Sequence, residues 1–329
     1  MNNRINYKFL VKCLFVFTFS IVLCSGCGRD SNTLKEYKTH FEENQSQYVL
    51  DSNKGMAEEL AVVPVSEATD YTFQANVKAA FCANDDTDDV LLSYHAFDKI
   101  YPASITKVMT AILVMEHGNF EDTVTLSHNI TFDEGNVVRS NLKAGDTVTV
   151  EGLFNSLLVA SDNDCAVILA EYIAGSVEQF TKMMNAKAKE LGATHTHFAN
   201  ANGLHNSNHY TTAYDLYLIF REAIKDDRFV SVVGQKDYVL EYDTSQGYTV
   251  EEYKTSTNAY FNNTYSIPTG IDIVGGKTGT TSIAKSCLIL FTKNEADETM
   301  ISVVLGAETK DILYHTMTEL ITMDKNAES

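Results

Sequence analysis

Proline, basic charge and long apolar runs are all scarce in this chain of 329 residues, and each shortage excludes a class of protein. Only three prolines occur, so no proline-rich linker divides the chain. The formal net charge is −19, whereas a nucleic-acid surface needs clustered lysine and arginine. No nucleic-acid partner is therefore expected, and the acidity indicates a solvated exterior.

The apolar run near the N-terminus covers residues 13–24 and follows a basic stretch. A membrane-spanning helix needs ~20 residues, so this shorter run predicts the core of a lipoprotein signal peptide over residues 1–26. It closes on a segment that resembles a bacterial lipobox, although Cys24 stands where leucine is usual. Lipidation of Cys27 would anchor the protein at the extracytoplasmic face of the bacterial cell membrane. Simple cleavage and an uncleaved anchor are the alternatives.

Cysteine is too sparse for a disulfide framework. Beyond the export segment only Cys82, Cys165 and Cys287 remain, an odd number without close spacing, and buried thiols are expected. Residues 27–64 are polar and acidic and predict a flexible tether. Residues 65–329 predict a single globular domain.

Hydrophobic periodicity predicts strands first, then a block of helices, then strands and a last helix. Strands are predicted within residues 77–94 and over 238–242, 248–253, 271–280, 285–292 and 300–306. Helices are predicted over residues 104–117, 150–159, 162–174, 176–192, 212–224 and 311–323. This order predicts an α+β fold, an antiparallel sheet packed by helices with a helical subdomain at one side.

Ser104 and Lys107 lie three residues apart at the start of a predicted helix. At that spacing both side chains share one helix face. The helix N-terminus opposes a nearby ammonium and so favours a lowered lysine pKa. The pair predicts a serine nucleophile with a lysine base, and an N-cap serine before an exposed lysine is the alternative. That alternative holds for the S-x-x-K matches at Ser140 and Ser282, which have no helix after them.

Two further clusters carry polar groups at element starts. Ser161-Asp162-Asn163 opens another predicted helix, so its hydroxyl and amide can project into a cleft, although the same composition suits an N-cap region. Lys277-Thr278-Gly279-Thr280 follows two glycines on a predicted strand, where Gly279 lets a ligand or another backbone approach closely. A glycine-rich hairpin is the alternative there. Three such clusters in one chain favour a common functional site.

Four histidines suggest a different chemistry. His195, His197, His205 and His209 all fall within a short stretch. An H-x-H pair on a strand would aim both rings the same way, as zinc sites require. No H-E-x-x-H sequence occurs and no cysteine pair stands near. Loop histidines are therefore expected, and a zinc-dependent peptidase is the alternative.

Together the clusters are the S-x-x-K, S-x-N and K-T-G set of penicillin-binding proteins and serine β-lactamases. Residues 84–305 resemble the D-alanyl-D-alanine carboxypeptidases, the low-molecular-mass penicillin-binding proteins of bacterial cell walls. The resemblance implies a β-lactamase/transpeptidase-like fold, with residues 65–329 as the catalytic domain. The E-x-x-L-N sequence of class A β-lactamases is missing, so fast β-lactam hydrolysis is not expected, and a serine β-lactamase is the alternative.

The resemblance also implies roles for individual residues. A serine-type carboxypeptidase would remove the terminal D-alanine of peptidoglycan pentapeptide stems, and β-lactams would be covalent inhibitors. Ser104 would be the nucleophile, Lys107 its base and Ser161 a proton relay. The implied substrate-binding residues are Asn163, Lys277, Thr278, Gly279 and Thr280. The backbone N–H groups of Ser104 and Thr280 would form the oxyanion hole. Neither metal nor cofactor is expected.

Overall fold

The computed structural model describes residues 76–133, 135 and 137–323. The predicted signal peptide, the lipidation site Cys27 and the tether lie outside these residues, so they remain predictions. No helix within the described ranges is both long and apolar enough to cross a membrane.

A five-stranded antiparallel sheet forms the centre of the domain, with strand order β2-β1-β9-β8-β7. Its strands are β1 (Ala79–Asn84), β2 (Asp89–Tyr94), β7 (Asp272–Thr281), β8 (Lys285–Lys293) and β9 (Thr299–Ala307). Residues 286–292 of β8 and 300–307 of β9 are buried without a break. Their near-continuous apolar sequences follow from this position, because helices cover both faces of the sheet.

Helices cover the two faces unequally. They are α1 (Lys107–His117), α2 (Val150–Val159), α3 (Asn163–Ala174), α4 (Val177–Glu190), α5 (Ala213–Ala223), α6 (Asp227–Val233) and α7 (Lys310–Ile321). Of the helices in the described part of the chain, α7 covers one face through Leu313, Met317 and Leu320, and the others form the larger core on the opposite face. The α+β architecture predicted from the sequence is confirmed.

A second, four-stranded antiparallel sheet has the order β3-β4-β5-β6. It consists of β3 (Thr123–Thr125), β4 (Thr147–Thr149), β5 (Asp237–Asp243) and β6 (Thr249–Thr255). The sequence predicted only β5 and β6, because a three-residue strand is too short to show an alternating pattern. Helix α6 was missed for the same reason, since it has only seven residues.

Capping residues fix several helix starts where the sequence placed them. The hydroxyls of Ser176 and Thr212 accept hydrogen bonds from the N–H groups of Gln179 and Asp215. The helix predicted from Ser104 differs from the expectation. A 3₁₀ turn over Ala103–Thr106 comes first, and the α-helix begins at Lys107.

Shortening Met317 tests the layer between α7 and the sheet. Met317 is fully buried, so Met317→Ala is expected to lower the free energy of unfolding by about 2–5 kcal/mol through lost burial and an unfilled cavity. Urea unfolding measures the loss. His315, on the same helix, has 77% of its side chain exposed, and His315→Ala is the matched control, with an expected change under about 0.5 kcal/mol. Equal losses for both variants would contradict this packing.

Candidate active site

The turn that carries Ser104 has a strained backbone. Ala103 has a φ of +48°, in the left-handed region that residues other than glycine rarely adopt. Thr106 holds this conformation by donating its hydroxyl to the Ala103 carbonyl at 2.8 Å. Gly203 packs on the same carbonyl so closely that a Cβ at position 203 would lie 1.9 Å from the oxygen. Strain stabilised by its surroundings in this way is common at active sites.

His209 contacts that turn through the Thr106 hydroxyl. Its Nε2 lies 2.7 Å from the Thr106 hydroxyl, and its Nδ1 accepts the N–H of Ala199 at 3.1 Å. Nε2 therefore carries the proton and donates to Thr106. Burial lowers the pKa of His209 to about 3, with smaller contributions from His197, His205 and Lys107. The ring is consequently neutral throughout the physiological pH range and acts as a structural donor.

Lys107 is fully buried and its amine has three partners. Nζ lies 2.9 Å from Ser104 Oγ, 2.9 Å from Asn163 Oδ1 and 2.7 Å from the Asn202 carbonyl. The Asn163 and Asn202 oxygens can only accept hydrogen bonds. A neutral amine has two N–H donors and one lone pair, so the two donors meet the two carbonyl oxygens. The lone pair is then left for the Ser104 hydroxyl.

The environment favours this neutral form. Burial lowers the pKa of Lys107 well below its ordinary value, and the nearby Lys277 lowers it further. Asp162, Cys165 and Asp164 act in the opposite direction. The sequence indicated the helix N-terminus as the cause of the lowered Lys107 pKa, whereas burial is the larger cause in the structure.

A second buried lysine, Lys277, is hydrogen-bonded to the serine of the second cluster. Lys277 is 1% exposed and donates to Ser161 Oγ at 2.8 Å and to the Thr278 carbonyl at 3.1 Å. Burial lowers the pKa of Lys277 to about 7, against a raising effect of Asp162. Ser161 has a φ of +66°, so its loop is strained like the turn before Ser104. The site therefore holds two serine–lysine pairs.

Asn163 uses both ends of its amide within the protein. Oδ1 accepts from Lys107, and Nδ2 donates to the Val138 carbonyl at 2.8 Å. This arrangement fixes the orientation of the amide, since its oxygen must face the lysine. Substrate binding by Asn163 stays a prediction, and it would require the Val138 contact to be exchanged.

Strand β7 lies directly against the Ser104 turn. A Cβ on Gly279 would lie 2.9 Å from Ser104 N and 3.0 Å from the Pro102 carbonyl oxygen, so only glycine permits this approach. The two segments border a cleft of about 540 Å³, which Ser104, Ser161 and Asn163 line together with Thr278, Gly279 and Thr280. All three sequence clusters therefore meet in one place.

Two contributors were not identified from the sequence. The Asn202 carbonyl is a backbone group, and the signal that could have indicated its turn is the Asn200-Ala201-Asn202-Gly203 segment. Asn200 Oδ1 accepts the N–H groups of Asn202 and Gly203 and shapes that turn. Thr257 also lines the cleft, and its hydroxyl contacts that of Thr278.

The histidine stretch does not form a metal site. His197 belongs to a single β-bridge with Tyr210, not to a strand, and His209 is buried under the Ser104 turn. Among the described residues, three or more potential metal ligands with all ligand atoms within 4.8 Å of one another occur at Asp162, Asp164 and Cys165, and no histidine belongs to that group. Both carboxylates are engaged by protein groups, Asp162 by Lys254 and Asp164 by Ser140.

The three cysteines of the globular part are free and buried, as the sequence predicted. Burial raises the pKa of Cys82 and Cys287 to about 11 and that of Cys165 well above its ordinary value. These thiols are therefore protonated at neutral pH and are not alternative nucleophiles.

Solved structures define the class of this fold and site. The chain superimposes on the Streptomyces K15 DD-transpeptidase with a TM-score of 0.67 and 27% identity, covering 76% of this chain and 97% of that one. It also matches penicillin-binding protein D2 from Listeria monocytogenes in a cefotaxime-bound form, with a TM-score of 0.62, 26% identity and the same coverage of both chains. The architecture is that of the penicillin-binding proteins.

The chain belongs to the D-alanyl-D-alanine carboxypeptidase family, peptidase S11, whose family model matches residues 65–309. Among curated relatives, it is 34% identical over 237 residues to D-alanyl-D-alanine carboxypeptidase DacF of Bacillus subtilis strain 168. That match covers 70% of this chain and 58% of DacF, which is less than two thirds of the relative. The family indicated by the sequence clusters is confirmed.

The lowered pKa of Lys277 predicts how stability depends on pH. In the unfolded chain the amine holds its proton up to about its ordinary pKa of 10.5, but in the folded protein only up to about 7. The unfolded state therefore binds more protons within this window, and stability rises with pH. Lys277→Met removes this buried amine. The free energy of unfolding of the variant, relative to that of wild type, is therefore expected to be greatest near pH 7 and to fall as the pH approaches 10.

Urea unfolding of both proteins at several pH values measures this difference. Loss of the Ser161 contact affects Lys277→Met equally at every pH, so the change with pH isolates the titration. A stability difference that stays constant from pH 7 to 10 would contradict a depressed pKa at Lys277.

Proposed function

We propose that this protein is a serine-type D-Ala-D-Ala carboxypeptidase, which removes the terminal D-alanine of peptidoglycan stem peptides through an acyl-enzyme. The observation that carries the proposal is the pairing of Ser104 Oγ with the buried amine of Lys107 at 2.9 Å. Membership of the family supplies the substrate class. Penicillin would acylate the same serine, in line with the cefotaxime-bound form of a structural neighbour.

In the acylation step, Ser104 Oγ attacks the carbonyl carbon of the penultimate D-alanine. The hydroxyl proton passes to the lone pair of neutral Lys107 as the new C–O bond forms. The backbone N–H groups of Ser104 and Thr280 would stabilise the negative oxygen, and a single donor of this kind typically contributes ~10²–10³ in rate. The position of Gly279 against Ser104 N supports this arrangement, because it brings β7 to the same side of the attacked carbonyl.

Departure of the amine needs a proton. Ser161, which is hydrogen-bonded to Lys277, would pass on the proton that Lys107 took up, so that the nitrogen of the leaving D-alanine is protonated as the C–N bond breaks and Lys107 is neutral again. Lys277 and Thr278 would receive the terminal carboxylate, and its negative charge would favour the protonated form of Lys277. Water then attacks the ester and gives a proton to neutral Lys107, and Lys107 returns that proton to Ser104 Oγ as the ester C–O bond breaks and the shortened peptide leaves. These steps use side chains, backbone groups and water.

The location of the enzyme is part of the proposal. A lipid on Cys27 would hold the domain at the extracytoplasmic face of the membrane, where peptidoglycan is found. The lipobox-like sequence supports this, and radiolabelled palmitate incorporation that is lost in Cys27→Ser would test it. Incorporation unchanged in that variant would contradict the anchor.

Replacing the nucleophile gives a decisive test. Ser104→Ala is expected to abolish D-alanine release from a D-Ala-D-Ala pentapeptide and covalent penicillin labelling, while Lys107→Ala folds but acylates at least ~10²-fold more slowly for want of a base. Ser282→Ala removes the serine of another S-x-x-K match in the same cleft and should retain activity. Penicillin destroyed without D-alanine release would instead indicate a β-lactamase. Loss of activity with a chelator, together with activity in Ser104→Ala, would indicate a metallopeptidase.

The close approach of β7 gives a second test. Gly279→Ala would force the strand and the Ser104 turn apart, and penicillin acylation is expected to fall by ~10²-fold or more through misplacement of the reacting groups. Gly135 lines the same cleft with no atom within 4 Å of an added Cβ, so Gly135→Ala is the control and should acylate normally. Wild-type acylation of Gly279→Ala, measured by mass spectrometry, would contradict the tight fit.

A further inference from the structure

A buried ion pair includes Asp162, the middle residue of the second cluster. Lys254 Nζ is 2.8 Å from Asp162 Oδ2, and the two side chains are 6% and 1% exposed. The Ser156 hydroxyl donates to the same carboxylate oxygen at 2.6 Å. Lys254 comes from the end of β6 in the second sheet, far from Asp162 in sequence, and its other partner is Glu252 at 2.9 Å.

Asp162 is placed where its charge acts on both catalytic pairs. Its chain neighbours are Ser161, which contacts Lys277, and Asn163, which contacts Lys107. A carboxylate in this position favours the charged form of both lysines. The proposed chemistry needs the opposite for Lys107, which must be neutral to accept the proton of Ser104.

We propose that Lys254 is a positioning residue for catalysis, whose ammonium pairs with the buried Asp162 carboxylate and so weakens the stabilisation that this charge gives to the ammonium form of Lys107. The inference rests on the proposed function, because it concerns the base of that reaction. Lys254 acts through Asp162 and touches neither substrate nor nucleophile. The second sheet thereby takes part in a site formed by the other elements.

The groups facing this carboxylate come from four elements. They are Lys107 of α1, Asp164 and Cys165 of α3, Lys277 of β7, and Lys254 and Glu252 of β6. His209 also faces Lys107 but is neutral, with a pKa of about 3. Burial and the neighbouring Asp162 raise the pKa of Asp164 to about 6. Burial opposes the charge of Lys254, but hydrogen bonding and charge attraction from Asp162 and Glu252 outweigh it and raise the pKa.

The test is the pH dependence of penicillin acylation, followed by mass spectrometry from pH 5 to 10. At saturating penicillin, whose carboxylate favours the protonated form of Lys277, the wild-type rate should rise with pH as Lys107 loses its proton and then level off. In Lys254→Met the uncompensated Asp162 should shift this rise to higher pH by about one unit, so that acylation is roughly tenfold slower below the plateau. The plateau rate itself should be close to that of wild type.

Companion variants separate charge from packing. Lys254→Arg keeps the charge and should keep the wild-type profile, whereas Asp162→Asn removes the anion and should shift the rise to lower pH. Combining Lys254→Met with Asp162→Asn should cancel the upward shift. Lys236→Met, the loss of an exposed lysine next to β5, is the matched control and should leave the profile unchanged.

An equal loss of rate at every pH in Lys254→Met, without recovery in the double variant, would show that Lys254 only anchors the second sheet and would overturn the inference. Should Lys254→Met fail to fold, Asp162→Asn decides, since an unshifted profile in that variant overturns the inference as well. Wild-type protein that penicillin does not acylate is a distinct result. It would overturn the proposed function and this inference together.

Discussion

One buried amine determines how the site is arranged. Lys107 is enclosed by the Ser104 turn, by Asn163 at the start of α3 and by the carbonyl of Asn202. Because two of these partners can only accept hydrogen bonds, a neutral lysine must direct its lone pair at the serine. The burial that makes an ammonium unfavourable thus also orients the base. Activation and alignment of the nucleophile are two results of a single constraint.

The surrounding backbone is shaped to allow this enclosure. Ala103 and Ser161 both adopt left-handed conformations beside the reacting groups, and each residue held this way costs of order 1–3 kcal/mol. Glycines at 203 and 279 let two other segments press against the Ser104 turn from different sides. The neutral ring of His209 and the hydroxyl of Thr106 satisfy the polar groups beneath it. The turn therefore keeps its shape without substrate, which is the preorganisation that acyl transfer requires.

Much of this was predictable from local sequence. Several helix starts follow from capping residues, the long strands from apolar patterning, and the three polar clusters from short motifs, and all of these are properties of short segments. The Asn202 carbonyl was not predictable in this way, because a backbone oxygen has no residue identity. The partnership of Lys254 with Asp162 joins positions 92 residues apart, and nothing in either segment indicates the other. The histidines are loop residues, as expected, but the contact of His209 with the Ser104 turn was not predictable, because its partner Thr106 lies 103 residues away in the sequence.

The protonation state of Lys107 is the central claim, and nuclear magnetic resonance of protein labelled with ¹³C at lysine Cε measures it directly. The Lys107 signal can be assigned by its loss in Lys107→Met and followed from pH 5 to 10. This signal is expected to have the chemical shift of a neutral amine at pH values where the exposed lysines are still charged. A Lys107 signal that keeps the ammonium shift up to pH 10 would contradict a lysine base and the mechanism built on it.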